Sequence, residues 1–242
     1  MKIGRLLLLV FAGIVMACSS GKKAYERGNY YESVMQAVAR LRQNTDHKKS
    51  VETLRNAYPL AVNTLEDQAK NQIATNSQFK CKNAILSYNQ INNMYEAIRQ
   101  CPGCLAVVPN PKNYYTEVGE LKKKAAAESY DAGITALMKG TRNDAKSAYF
   151  LFSDANSFVP GYEDVIEYLD KAMEEATLNV VVEQIPVPAR YNLSGGFFQD
   201  KVEEFLHNNY QPRSFIRFLT PEEAQRINLA RADHILRIQF DD

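Results

Sequence analysis

Apolar runs are almost absent from this sequence beyond its first fifteen residues. No later stretch approaches the roughly 18 residues that a membrane-crossing helix needs, so the remainder is expected to fold in water. Charge of one sign is also missing: the chain carries 29 Lys and Arg against 28 Asp and Glu. That balance argues against nucleic acid or anionic lipid as a main partner. Histidines are few, and His47, His207 and His234 show neither metal-ligand nor triad spacing. Ser194-Gly195-Gly196 leads into a helical pattern but lacks a glycine-rich phosphate fingerprint and a following lysine, so it reads as a turn. These absences leave no cofactor implied, no metal site and no enzyme class, and the chain is expected to bind rather than catalyse.

What is present begins at the N-terminus. Lys2 and Arg5 precede an apolar run, Leu6 to Val15, which ends in Val15-Met16-Ala17-Cys18. As a helix the run spans roughly 15 Å, half of a ~30 Å bilayer core, so it suits a signal sequence and not a permanent anchor. The aliphatic residue at −3, the small residue at −1 and the cysteine resemble the lipobox of bacterial lipoproteins. That resemblance implies a signal peptide over 1–17, cleavage before Cys18, and lipid on Cys18 (diacylglycerol on its thiol, an acyl chain such as palmitate on its amine). Two or more acyl chains make a stable anchor. Cleavage removes Lys2 and Arg5, leaving 27 of the 29 basic residues against 28 acidic ones. In the enterobacterial pattern an Asp after the lipid cysteine retains the protein at the inner membrane. Ser19 therefore implies the outer membrane, facing the periplasm.

Four regions are expected in all: the signal peptide, a lipidated tether over 18–23, a helical region over 24–177 and a small α/β region over 178–242. Apolar residues recur at helical spacing in Val34, Ala37, Val38 and Leu41; in Val51, Leu54, Tyr58, Ala61, Val62, Leu65 and Ala69; and in Cys81, Ala84, Ile85, Tyr88, Ile91, Tyr95 and Ile98. Further stripes are Val118, Leu121 and Ala125; Ala145, Ala148, Phe152 and Ala155; and Val165, Ile166, Leu169, Ala172 and Met173. Pro59 predicts a kink or break in the second stripe. Ala148, Phe152, Ala155 and Pro160 stand at the offsets of the second helix and closing proline of the tetratricopeptide repeat, which they resemble. Tyr130 to Gly133 resembles its first helix, displaced by about three residues, and Gly28-Asn29-Tyr30 with Ser33 and Ala37 resembles a second copy. The resemblance implies antiparallel helical hairpins with a protein-binding groove near Tyr130, Ala148 and Phe152. A plain helical bundle is the alternative.

From Leu178 the pattern changes to β-α-β-α-β: strands at 179–185, 214–219 and 232–240, and helices at 197–209 and after Thr220-Pro221-Glu222-Glu223. The order is similar to small envelope α/β domains of the curli-secretion lipoprotein type, where an Ala-Asp-aliphatic strand plays the part of Ala232-Asp233-His234-Ile235. Three strands make a small core. The sheet either completes itself on the helices or a partner, or the native chain continues beyond Asp242.

Cys101-Pro102-Gly103-Cys104 is the one arrangement that looks chemical, and three readings stay open. A redox dithiol needs a helix N-terminus at the first thiol, whereas a helix is expected to end at Gln100 and none to start at Leu105. A local disulfide, with Cys81 free and buried, suits an oxidising compartment. Zinc needs further ligands, and Cys81 lies ~30 Å away along the same expected helix. Fourteen tyrosines, paired at Tyr30-Tyr31 and Tyr114-Tyr115, suit packing and interfaces. The expectation is therefore a membrane-anchored scaffold or adaptor in envelope assembly or secretion, with unknown envelope proteins as partners. A thiol-redox protein and a purely structural tether are the alternatives.

Overall fold

A computed structural model describes residues 20–183, 195–210 and 214–238. The apolar run 6–15, the lipobox with Cys18, Ser194 and the end of the third expected strand lie outside the described residues. The protein is mainly helical, with one small three-stranded parallel sheet. It divides into two compact units, 1–128 and 129–242.

The first unit holds α1 (Lys22–Glu26), α2 (Tyr30–Gln43), α3 (Lys48–Ala74), α4 (Lys80–Arg99), α5 (Pro102–Val107) and the start of α6 (Tyr115–Leu137). Asn29 caps α2 by accepting from the Glu32 amide (3.3 Å). Helix α2 packs on α3, and α3 on α4, through the stripes legible in the sequence. Val34, Ala37, Leu41, Leu54, Ala57, Ala69, Ala84, Ile91 and Ile98 are completely buried. Helices with one apolar face gain most of their stability from such burial, at about 1.5–3 kcal/mol for each large aliphatic side chain.

Pro59 does not break α3, which runs through it over 27 residues. Pro59 and Arg55 both lie on the exposed side, so the carbonyl that loses its donor reaches water. Tyr58, Ala61 and Val62 keep the packed face continuous.

The second unit takes the end of α6 with α7 (Arg142–Phe158), α8 (Val165–Ala176), β1 (Leu178–Val182), α9 (Gly195–Tyr210), β2 (Ile216–Leu219), α10 (Pro221–Arg226) and β3 (His234–Leu236). Strand β1 is central, in the order β2-β1-β3, and both pairings are parallel, Leu178 opposite Ile216 and Val180 opposite His234. Parallel neighbours require crossovers. Helix α9 packs on β2, and α10 on β1 and β2. Thr220 and Glu223 form a reciprocal capping box at α10, with Pro221 in its first turn.

The composition change at residue 178 does not coincide with the division between the units. It marks where helix gives way to strand, whereas the core of the second unit already includes Ala136, Ala148, Phe152, Val165 and Ala172, with Phe215 from the strand region packed against it. Strand β3 also departs from expectation. The strand is shorter than expected, His234–Leu236; Leu236 and, beyond it, Ile238 are half-buried, while Ile235, 61% exposed, stands on the opposite face.

Gly133 lies against Phe152: a Cβ built on it would sit 2.7 Å from the ring. Gly133→Ala is therefore expected to destabilise the second unit. Overpacking costs about 1–3 kcal/mol, against the roughly 1 kcal/mol that alanine gains in a helix. Thermal unfolding followed by circular dichroism checks the sign.

Candidate functional site

Cys101 and Cys104 are joined as a disulfide, with Cα atoms 5.1 Å apart. The expectation that no helix follows the pair is corrected. Pro102, with φ already fixed near the helical value, opens the one-and-a-half-turn helix α5, and Cys101 is its N-cap. The Cys104 amide points at the Cys101 sulfur (3.3 Å). Local sequence hid this helix because Pro109 stops it after six residues. Cys101 is 1% exposed and Cys104 not at all, so neither sulfur is open to an attacking thiol. The bond fastens the end of α4 to α5.

Cys81 is free and buried. Burial first, then the neighbouring Glu128 carboxylate, pushes its thiol up to about 11. Among the described residues no group of His, Cys, Asp and Glu is arranged to hold a metal ion. His47 caps α3, its Nδ1 accepting from the Ser50 amide (3.3 Å). His234 lies exposed on β3.

Tyr114 and Tyr115, which the sequence offered as interface residues, are committed within the chain. Tyr114 stacks on Tyr88 (4.6 Å between centroids), and its hydroxyl donates to Glu66 (2.5 Å). Its amide donates to the buried Asn92 side chain (2.6 Å). Lys112 Nζ also reaches Glu66 (2.8 Å), and the Lys112 amide donates to the Tyr58 hydroxyl (2.6 Å). Lys112 and Tyr114 hold the Glu66 carboxyl below its ordinary range against the opposing effect of desolvation, the largest single influence. Together these bonds fix the proline-containing segment 108–114 to α3 and α4. The Tyr115 hydroxyl donates to Glu96.

In the second unit the three residues expected around a groove are brought together, but as core. Ala148 and Phe152 are completely buried. Tyr130 is half-buried and packs edge-on to Phe152 (5.7 Å), Tyr162 (5.7 Å) and Tyr168 (5.8 Å). Its hydroxyl donates to Asp164, and burial, then that carboxylate, raises its pKa. The small residues of α7 let the hairpin helices pack closely around the Phe152 ring.

The sequence did not single out one aromatic group of this unit that reaches the surface, exposed Phe150 with half-buried Tyr149 and Phe215 beside it. Phe150 is 59% exposed and meets Phe215 edge-on (5.8 Å); Tyr149 packs on both, at 5.7 and 5.5 Å. Lys146 Nζ stands 5.6 Å from the Phe215 centroid, within cation–π range. Phe150 follows Tyr149 in the sequence and falls outside the buried stripe of α7. An apolar residue off the stripe was the available signal.

Asp233, from the Ala-Asp-aliphatic segment, ties the sheet together. Its carboxylate accepts from the Asn179 amide (2.8 Å) and pairs with Arg142 at the start of α7. The Asn179 amide, then Arg142, holds its carboxyl below the ordinary range. A further cleft of about 400 Å³ opens where β1 and β2 end, floored by Val182, Leu206 and Leu219. Asp200, Glu203, Glu204 and Glu223 line it; Glu203 accepts from Gln199, Glu204 from Lys201 and Glu223 from the Thr220 amide. No nucleophile–base pair stands among its lining residues.

No protein-family model, curated protein or solved structure matches the chain.

Two outcomes are expected. With the disulfide intact, native protein at pH 8 leaves Cys81 unalkylated by iodoacetamide, and denaturant adds one alkylated thiol to the number labelled in the native state, as read by intact mass. Asp233 has a folded pKa below its unfolded value, so its stabilisation is present above about pH 4 and is lost as pH falls through the lower folded value. Asp233→Asn should remove that acid-side dependence at a cost of under ~1 kcal/mol near neutrality, because the pair is partly solvated. Urea titrations from pH 3 to 7 measure it.

Proposed function

We propose that this chain is a lipid-anchored envelope protein that holds a protein partner, an adaptor or scaffold rather than a catalyst. The anchor rests on the Val15-Met16-Ala17-Cys18 segment, with Cys18 as the lipid-bearing residue and the outer membrane as its site. A tetratricopeptide-like relationship for the hairpin made by the end of α6 (Tyr130 to Gly133) and α7 is part of the same reading. It is supported by the small-residue and Phe152 contacts of that hairpin and by its closing Pro160.

The observation that carries the binding role is the surface group Tyr149, Phe150 and Phe215 with Lys146. Large aromatic side chains beside a cation are the composition of interface anchors, and a ring left 59% exposed costs solubility unless something covers it. In this reading the partner is held by the outer face around Phe150 rather than by the interior around Ala148 and Phe152. Envelope assembly or secretion machinery is the setting this reading favours. It follows from the anchor and the helical architecture, which is an argument from analogy.

In-cell cross-linking of the tagged chain, affinity purification and mass spectrometry test the reading. The wild-type chain should capture one or two envelope proteins. Phe150→Lys should lose them while circular dichroism stays unchanged, because Phe150 is outside the core. Cys18→Ala should lose both acyl labelling and the captured partner. Retention of every partner by Phe150→Lys would remove the aromatic surface from the binding role.

A further inference from the structure

Between Cys18 and the first docked residue, Gly21, only Ser19 and Ser20 intervene. Gly21 is buried, not part of a loose leader. Its φ of 80° suits glycine, and its carbonyl accepts from the Ser33 hydroxyl of α2 (3.0 Å) and from the Tyr25 amide (3.0 Å). A Cβ there would stand 2.3 Å from the Ser33 carbonyl oxygen. Ser33 is itself completely buried, and α1 packs on both α2 and α3. The N-terminal turn is thus part of the folded unit from residue 21 onward.

We propose that the first helical unit lies directly on the bilayer surface, with α1 and the start of α2 against phospholipid headgroups and no spacer between. The proposal rests on the lipoprotein reading of Cys18. Three residues of extended chain reach at most about 11 Å. A polar headgroup layer is roughly 5–8 Å thick. A cysteine whose acyl chains sit in the hydrocarbon therefore holds Gly21 within or just above the headgroups.

The residues that this places at the surface suit it. Lys22, Lys23 and Arg27 are exposed on or beside α1, against Glu26, which pairs with Lys22 (3.8 Å), and half-buried Glu32 in the first turn of α2. The near-neutral charge of the whole chain makes this a local feature, felt within a Debye length of about 8 Å. Tyr25 and Tyr30, half-buried and packed together at 5.7 Å, stand at the same end with Tyr31. Tyrosine combines an apolar body with a polar tip, as suits a membrane–water boundary.

The test uses the mature, lipidated full chain in vesicles of phosphatidylethanolamine and phosphatidylglycerol that contain a headgroup-linked quencher. A fluorophore is placed at Glu26→Cys, an exposed site that leaves the cations in place; Cys81 and the disulfide are buried and do not label. Strong quenching is expected. A thirty-residue Gly/Ser insertion between Ser19 and Ser20, whose ends average roughly 30 Å apart, should lose most of it while the protein still sediments with the vesicles. Wild-type protein that sediments but is quenched no more than the insertion variant overturns the proposal alone. Wild-type protein that carries no acyl group and does not sediment overturns the lipoprotein reading and the proposal with it.

Discussion

The ring of Phe152 lies against the bare backbone of Gly133, and the architecture of the second unit depends on that approach. Ala145, Ala148 and Ala155 keep the surrounding helix surface shallow, so α7 and α8 close on each other and on the end of α6. Tyr130, Tyr162 and Tyr168 then fill the rim of the same ring. Phe215 reaches this cluster just before β2 begins, so the helices provide the surface on which the sheet is seated. The first unit obeys the same constraint with aliphatic residues: one face of each helix is apolar, and only a neighbour of matching shape covers it.

Helix positions and buried faces were legible because the 3.6-residue period repeats over many residues. Val34, Ala37, Val38 and Leu41 fell where the period put them. The reading failed where a single local signal was weighed without its surroundings. Pro59 removes one backbone donor, yet the packed face around Tyr58, Ala61 and Val62 holds α3 continuous. Pro102 opened a helix too short to leave a periodic trace. The division between units was misplaced because composition reports the type of secondary structure, whereas a core is defined by contacts between residues distant in sequence.

The expected groove shows the same limit. The spacing of Ala148, Phe152 and Ala155 identifies residues that let helices meet, and residues chosen for close packing are the least able to face a ligand. Exposed apolar residues lie off the stripe, as at Phe150, where the sequence gives only an apolar residue out of phase. Tyr114 and Tyr115 follow the packing reading of the tyrosines instead. Their composition suits an interface, but partners some twenty to fifty residues away in the chain, at Glu96, Asn92 and Glu66, had already taken their polar groups.

The parallel order β2-β1-β3 has a consequence for how the chain acquires its shape. Strand β1 is made first and sits in the middle, yet both of its neighbours come only after crossovers through α9 and α10. Its hydrogen-bonding edges stay unpaired until those distant segments return, and such long-range pairing is slow compared with helix formation. In chain order β3 is the last of the three strands, so the sheet is completed only when that segment is in place. Until then β1 offers two open edges to any extended peptide nearby.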